Sequence, residues 1–226
     1  PMSMACVTSN CDSVSYAIKA VCLLRTVFAK QGGLIDAFAH VVTISKLQYE
    51  AIRPHMSADI VWHHVDNPIE AVDHGPKAGP GRDFVFVGRL SPEKGVSHFC
   101  EAARMAGVQP LIVGDGPLRN TLMAAYPEAK FVGWKSATEV AALVREARAL
   151  VFPSVWYEGQ PLTVYEALAE GTPVIVSDAC AGREAVTDGV TGLWFKSADA
   201  ADLARALTRL VDDGEAARMT HNAYRD

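Results

Sequence analysis

Two glutamates, Glu158 and Glu166, stand eight positions apart in Glu158-Gly159-Gln160-Pro161-Leu162-Thr163-Val164-Tyr165-Glu166, and two cations, Arg89 and Lys94, share the stretch Gly88-Arg89-Leu90-Ser91-Pro92-Glu93-Lys94-Gly95. Taken alone, either pair has an ordinary explanation: a solvated turn, or surface charges at a helix start. A carboxylate pair admits two chemistries. One is general acid and base work on a bond held between the two groups. The other is hydrogen bonding to neighbouring hydroxyls, since each ionised carboxylate offers two acceptor oxygens. The cations favour the second. The fork of Arg donors beside a compact ammonium suits a diphosphate, a charged group that could leave.

The surrounding elements must bring these four residues together. The apolar run Ala149–Phe152 precedes the glutamates, and Pro161 stands near the first helical position, where a missing N–H costs nothing. Such a strand–loop–helix unit places Glu158 at the C-terminal edge of a sheet and Glu166 just inside the helix. Open parallel sheets bind ligands at that edge. The run Phe84–Val87 delivers Arg89 to the same edge. Ser91-Pro92 reads as a helix start with Ser91 as the cap, whose free N–H groups also suit phosphate. Glu93 reads as a first-turn helix charge rather than a ligand.

From about Gly81 onward, short β-branched runs alternate with helical stretches. Strands are expected at Phe84–Val87, Leu111–Val113, Lys130–Val132, Ala149–Phe152, Pro173–Ser177 and Leu193–Phe195. Helices are expected through Phe99 and Ala103, up to about Ala125, over Ala137–Ala147 and over Asp199–Asp212, where Leu203, Leu207, Leu210 and Val211 recur at helical spacing. This alternation means βαβ units and a parallel sheet. The fold class is α/β, a Rossmann-like doubly wound parallel sheet joined to the remnant of a second α/β domain. The first part suggests a helix at Tyr16–Lys30, a strand at Ala39–Ile44, a helix at Ser45–Arg53 with Ser45 as N-cap, and a strand at Asp59–His63. That is too few strands for an independent doubly wound domain. The domain reading is therefore 1–66, the tail of an N-terminal domain; 67–82, a linker rich in Pro, Gly and charge; and 83–226, the ligand-binding domain.

Composition narrows the field. The chain has 226 residues, half of them apolar, enough for one large or two small domains with a real core. Its net charge of −5 argues against nucleic-acid partners. No apolar run is long enough to span a bilayer, and Met2–Cys11 lacks the basic and apolar regions of a signal peptide. The five cysteines, Cys6, Cys11, Cys22, Cys100 and Cys180, show no Cys-x-x-Cys spacing and read as reduced thiols. A cytoplasmic location follows. Tyr16–Lys30 carries Lys19, Arg25 and Lys30 among apolar residues, which suits peripheral contact with a membrane surface. Its apolar residues also number what a face packed on its own sheet needs, and that reading is favoured.

Several motifs are weaker. Gly114-Asp115-Gly116-Pro117 lacks the third glycine of a phosphate loop and reads as a structural turn. Gly133, Trp134 and Lys135 end a strand at the ligand edge, where backbone or indole could hold a base, or Trp134 could simply be packed. Gly182-Arg183-Glu184 and Gly189-Val190-Thr191-Gly192 look like turns completing that edge. His63-His64, like Cys6 and Cys11, has no further ligands at metal-site spacing.

The Glu158–Glu166 block resembles the Glu-x7-Glu signature of GT-B glycosyltransferases, family 4. The similarity extends to Gly88-Arg89-Leu90 with Lys94-Gly95, to Gly114-Asp115-Gly116-Pro117, to Gly171-Thr172-Pro173-Val174-Ile175, and to Val65-Asp66, where His64 stands in place of the usual Gly. The resemblance implies a retaining, metal-independent transfer of a hexosyl group from a UDP- or GDP-sugar to a carbohydrate or lipid-linked acceptor, as in polysaccharide biosynthesis, with no cofactor. By position, Arg89 and Lys94 would hold the diphosphate. Glu158 would bind donor-sugar hydroxyls and Glu166 the ribose. The N–H groups around Leu162 and Thr163, in the loop Gly159-Gln160-Pro161, would meet phosphate and sugar, and Gly133–Lys135 would border the base. Gln160 and Pro161 replace the family's commoner Phe and Gly, and Pro161 has no N–H to offer. Much of the family's N-terminal domain is not represented, which implies that this chain binds donor weakly without turnover and that exposed apolar surface leaves self-association open. A GT-B sugar-nucleotide epimerase and a non-catalytic nucleotide-binding module are the alternative readings.

Overall fold

The computed structural model describes residues 16–33 and 37–225. They form two compact units, divided between Val65 and Asp66.

In the first unit, helix α1 (Tyr16–Gln31) is followed by β1 (His40–Thr43), α2 (Lys46–Ile52) and β2 (Val61–His64). The two strands pair in parallel with His40 opposite Val61. Ser45 caps α2 as its sequence suggests, its side chain accepting the Gln48 N–H. The expected packing of α1 is not found. Val21, Leu24 and Phe28 are all more than half exposed, so the apolar side of this helix covers no core within the described residues. Cys6 and Cys11 lie outside those residues.

The second unit is a six-stranded parallel sheet in the order β5-β4-β3-β6-β7-β8. Its strands are β3 (Phe84–Val87), β4 (Pro110–Val113), β5 (Lys130–Gly133), β6 (Ala149–Phe152), β7 (Val174–Ser177) and β8 (Gly192–Phe195). The crossovers run through α3 (Val96–Ala106), α4 (Arg119–Ala125), α5 (Ala137–Glu146) and α6 (Leu162–Ala169), and the chain ends on α7 (Ala200–Val211) and α8 (Asp213–Arg225). Every strand is four residues long with apolar residues on both faces, as a sheet covered on both sides demands. The period-two alternation sorts them. Phe84, Phe86, Ile112 and Ile175 pack with Phe99 of α3, Leu203 and Leu207 of α7 and Met219 of α8. Leu150, Val174 and Val176 pack with Val144 of α5 and with Val164 and Ala167 of α6. The strand order reverses direction between β3 and β6, where the chain has wound outward both ways. A crevice opens at such a switch point, beyond the carboxyl ends of the two strands.

The Pro- and Gly-rich stretch at 67–82 contains no helix or strand, but it is not loose. Glu170, with its side chain 8% exposed, pairs with Arg145 and His74, each at 3.3 Å. Arg145 also donates to the carbonyls of His74 and Gly75 at 3.1 and 3.0 Å. Lys77 donates to the Ala147 carbonyl and the Thr172 hydroxyl at 2.8 and 3.0 Å, and desolvation pushes its ammonium down to about 8. Tyr224 of α8 donates to Asp73 at 3.0 Å. The segment is thereby a strap fastened to the second unit. Composition alone marks it only as lacking secondary structure.

Candidate functional site

The loop after β3 carries Arg89 and Lys94; the loop after β6 carries Glu158. These are the two strands flanking the switch point. Lys94 Nζ lies 2.7 Å from Glu158 Oε1, joining the loops across it. Ser154 Oγ is 3.0 Å from the same carboxylate oxygen and 3.2 Å from the Glu93 carbonyl, and its one proton can serve only one of them at a time. The Val155 N–H also donates to the Glu93 carbonyl at 3.0 Å. The cation-bearing and carboxylate-bearing loops thus form one hydrogen-bonded body. Lys94 and Glu158 remain 30% and 20% exposed through their side chains, open enough for a ligand to compete for them.

The route from β3 to α3 differs from the simple capped helix start expected at Ser91-Pro92. Residues Pro92–Lys94 form a 3-10 turn and α3 begins only at Val96. The Ser91 hydroxyl does not cap this turn; it donates to the Glu93 carboxylate at 2.5 Å. That bond, aided by the charges of Arg89 and Lys94, holds the Glu93 carboxyl below its usual range. Gly95 permits the detour. Its φ is +66°, and a Cβ there would lie 1.9 Å from the Pro153 carbonyl oxygen, so only glycine lets this corner close on the loop after β6. The turn at 114–117 has a comparable structural role. A Cβ on Gly116 would sit 2.5 Å from the Leu90 carbonyl oxygen, while the Leu90 N–H donates to Asp115 and the Leu118 N–H to Leu90. It buttresses the Arg89 loop from behind.

Arg89 is exposed, and no hydrogen bond engages its guanidinium among the described residues. Pro161 is the N-cap of α6, one place before the first helical residue, Leu162. The Val164 N–H returns to the Pro161 carbonyl at 2.9 Å, leaving the N–H groups of Leu162 and Thr163 at the helix mouth, the usual orphan donors of a first turn. Glu166, a turn further in, is half-buried. Gly159 continues the loop from Glu158. Gln160 is placed differently from its neighbours: only 9% exposed, it is directed at Asp66 and Asn67 rather than at the mouth of the site. At the far strand, Gly133 takes φ +73° and Trp134 is 74% exposed, so its packed-aromatic reading is set aside. Lys135 pairs with Glu139 at 3.0 Å beside a Ser136–Glu139 capping box, which the sequence displays as Ser-x-x-Glu.

Elsewhere, burial pushes the thiols of Cys100 and Cys180 up to about 12 and about 11, which suits inert core cysteines. His63 lies 3.0 Å from His40; among the described residues no three His, Cys, Asp or Glu side chains gather as a metal cluster would. Nor is any described helix long and apolar enough to cross a membrane.

The strand order, with its reversal between β3 and β6, defines a doubly wound, Rossmann-like class of α/β domain. The family of glycosyl transferases group 1 matches residues 70–226, and this chain belongs to it. Among curated relatives, the glycogen synthase of Mycobacterium tuberculosis is 35% identical over 161 residues, covering 66% of this chain and 38% of the relative. The UDP-Gal:alpha-D-GlcNAc-diphosphoundecaprenol alpha-1,3-galactosyltransferase of Escherichia coli is 32% identical over 144 residues, covering 58% of this chain and 36% of the relative. The chain thus spans well under half the length of either relative. Among solved structures, sucrose-phosphate synthase from Thermosynechococcus elongatus superposes with a TM-score of 0.73 at 25% identity, over 89% of this chain and 56% of that one. Anabaena HepE in complex with UDP-glucose gives 0.74 at 19% identity, over 95% and 65%. The architecture is that of the GT-B glycosyltransferases.

Proposed function

We propose that this chain is the donor-binding part of a retaining glycosyltransferase that moves a hexosyl group from a UDP- or GDP-sugar to a carbohydrate or lipid-linked acceptor without a metal. The observation that carries the reading is the convergence of Arg89, Lys94 and Glu158 at the switch point, with Lys94 and Glu158 in contact yet open to solvent. A diphosphate entering the crevice would take Lys94 from Glu158 and meet Arg89 beside it. The N–H groups of Leu162 and Thr163 add the positive end of α6. Glu158, released from Lys94, turns to the hydroxyls of the donor sugar, and Glu166 to the ribose.

In this reaction the bond between the anomeric carbon and the diphosphate oxygen breaks, and a bond from that carbon to the acceptor oxygen forms on the same face. The acceptor's proton passes to the departing phosphate. Negative charge grows on the diphosphate as it leaves, and fixed cations that need no reorganisation stabilise it there. Glu158 then positions the sugar and does not act as a nucleophile. Two relatives named for UDP-galactose and GDP-mannose transfer support a nucleotide-sugar donor. Calorimetric titration with UDP-, GDP- and ADP-sugars tests the proposal. One of them should bind, and Lys94→Ala should abolish the heat; binding of none, or of all with no effect of Lys94→Ala, would refute it.

A further inference from the structure

Gln160 sits in the middle of the Glu158–Glu166 block, yet its side chain is engaged elsewhere. Its Oε1 accepts the main-chain N–H of Asn67 at 2.7 Å. Its Nε2 donates to Asp66 Oδ1 at 3.3 Å. The orientation of the amide is dictated by chemistry: a main-chain N–H can only donate, so the oxygen must face Asn67 and the nitrogen Asp66. The side chain is 9% exposed, so each of these bonds satisfies a group that water does not reach freely. The contacts join positions 93 and 94 residues apart. Asp66 is also the first residue of the second compact unit, so the bonds fall where the chain passes from one unit to the other.

Besides the Lys94 and Ser154 contacts of the Glu158 carboxylate, the loop at 158–161 has two further holds. The Ala181 N–H donates to the Glu158 carbonyl at 3.0 Å, and the Pro161 ring lies against Gly182, where a Cβ would come within 2.9 Å of Pro161 Cγ. These anchor the side of the loop toward β7. Gln160 anchors it on the side toward 66–67.

We infer that Gln160 is a positioning residue that couples the Glu158 loop to the segment 66–67, so that a ligand ordering the loop also orders that segment. Coupling of this kind is reciprocal: whatever holds Asp66 and Asn67 in place also holds Glu158 ready. The coupling to ligand rests on the donor-site reading above; the tie itself does not.

The test is amide-resolved hydrogen exchange at Asn67 and Ala181 in the parent, Gln160→Ala and Gln160→Glu chains, with and without UDP and with UDP affinity measured in parallel. In the absence of nucleotide, Gln160→Ala should speed exchange at Asn67 by roughly tenfold, about what losing one hydrogen bond allows, and speed Ala181 as well. UDP should slow Asn67 in the parent and not in Gln160→Ala. Gln160→Glu keeps an acceptor for Asn67 but sets a second carboxylate beside Asp66. The titratable groups around it are Asp66 and Tyr165, with Glu184 acting on Tyr165. It should therefore match Gln160→Ala at pH 8 and, relative to the parent at the same pH, recover at pH 5, where two close carboxylates can share a proton. A merely space-filling glutamine would show no such recovery. Equal exchange at Asn67 in parent and Gln160→Ala, or a Gln160→Glu chain indifferent to pH, would overturn the inference. Should Gln160→Ala not fold, Gln160→Glu in its two pH arms decides it. A parent that binds no nucleotide would sink the donor-site reading while leaving the unliganded comparison to judge the tie.

Discussion

Replacing Glu158 with Gln should make this chain bind UDP more tightly, although Glu158 belongs to the proposed binding site. Its carboxylate holds Lys94 at 2.7 Å, with the two side chains 20% and 30% exposed. At an effective dielectric near 20, the gross attraction of a pair this close is about 6 kcal/mol. Partial desolvation and lost side-chain freedom cancel most of it. Exposed pairs net roughly 0.2–1 kcal/mol and breaking buried ones costs about 3–5 kcal/mol, so about 1 kcal/mol is reasonable here. A diphosphate must displace that interaction and then sit near a carboxylate of its own sign. Glu158→Gln removes both penalties, and about 1 kcal/mol corresponds to roughly fivefold tighter UDP. Lys94→Gln does the opposite: it deletes a charge-assisted contact of about 1.5–3 kcal/mol and leaves Glu158 to repel the diphosphate, so UDP should weaken ten- to hundredfold. With a UDP-sugar, Glu158→Gln also loses its charged acceptor for a hydroxyl, so the preference for UDP-sugar over UDP should fall about tenfold. Calorimetry of the two variants with both ligands reads all three numbers. If Glu158→Gln weakens UDP as much as Lys94→Gln does, the competition between carboxylate and diphosphate is wrong.

Gly95→Ala should destabilise the second unit by at least about 2 kcal/mol, from left-handed strain plus contact with Pro153, and urea unfolding would show it. Lys77 supplies a test of sign. Its ammonium titrates near 8 in the folded chain against an ordinary 10.5, so between those values the unfolded chain binds more protons and stability must rise with pH. The full shift would carry about 3 kcal/mol, which solvent screening at this half-buried site reduces to roughly 1–2 kcal/mol. The parent should gain that much on Lys77→Met between pH 7.5 and 10.5, as measured by paired denaturation curves; a constant difference would refute the assigned burial of the charge.

Much of the second unit is legible in the sequence, because the four-residue apolar strands β3, β4, β6 and β7 are buried on both faces and the helices repeat on one side. Phe84–Val87 and Ala149–Phe152 match the expected strands residue for residue, and Ser45 caps where a serine should. Local pattern failed where a residue's partner lies far along the chain. Ser91-Pro92 has the local form of a helix start, but packing of Gly95 on Pro153 makes it a 3-10 turn instead. The 67–82 segment has the composition of a linker, but hydrogen bonds from Arg145 to its carbonyls and the His74–Glu170 contact make it part of the domain. The apolar residues of α1 have the count of a buried face, yet Val21, Leu24 and Phe28 among them are exposed.

The same division runs through the candidate site. Residue types and spacing by themselves determined that Arg89, Lys94, Glu158 and Glu166 emerge from strand ends into helix starts, because alternation, proline and glycine act over a few residues. Only the tertiary structure decided that β3 and β6 are neighbours across the reversal of strand order, that Lys94 therefore meets Glu158, and that Gln160 turns to Asn67 instead of the crevice. Those facts depend on contacts spanning 64 and 93 residues, whose closure is set by how the whole sheet packs and which no local spacing encodes.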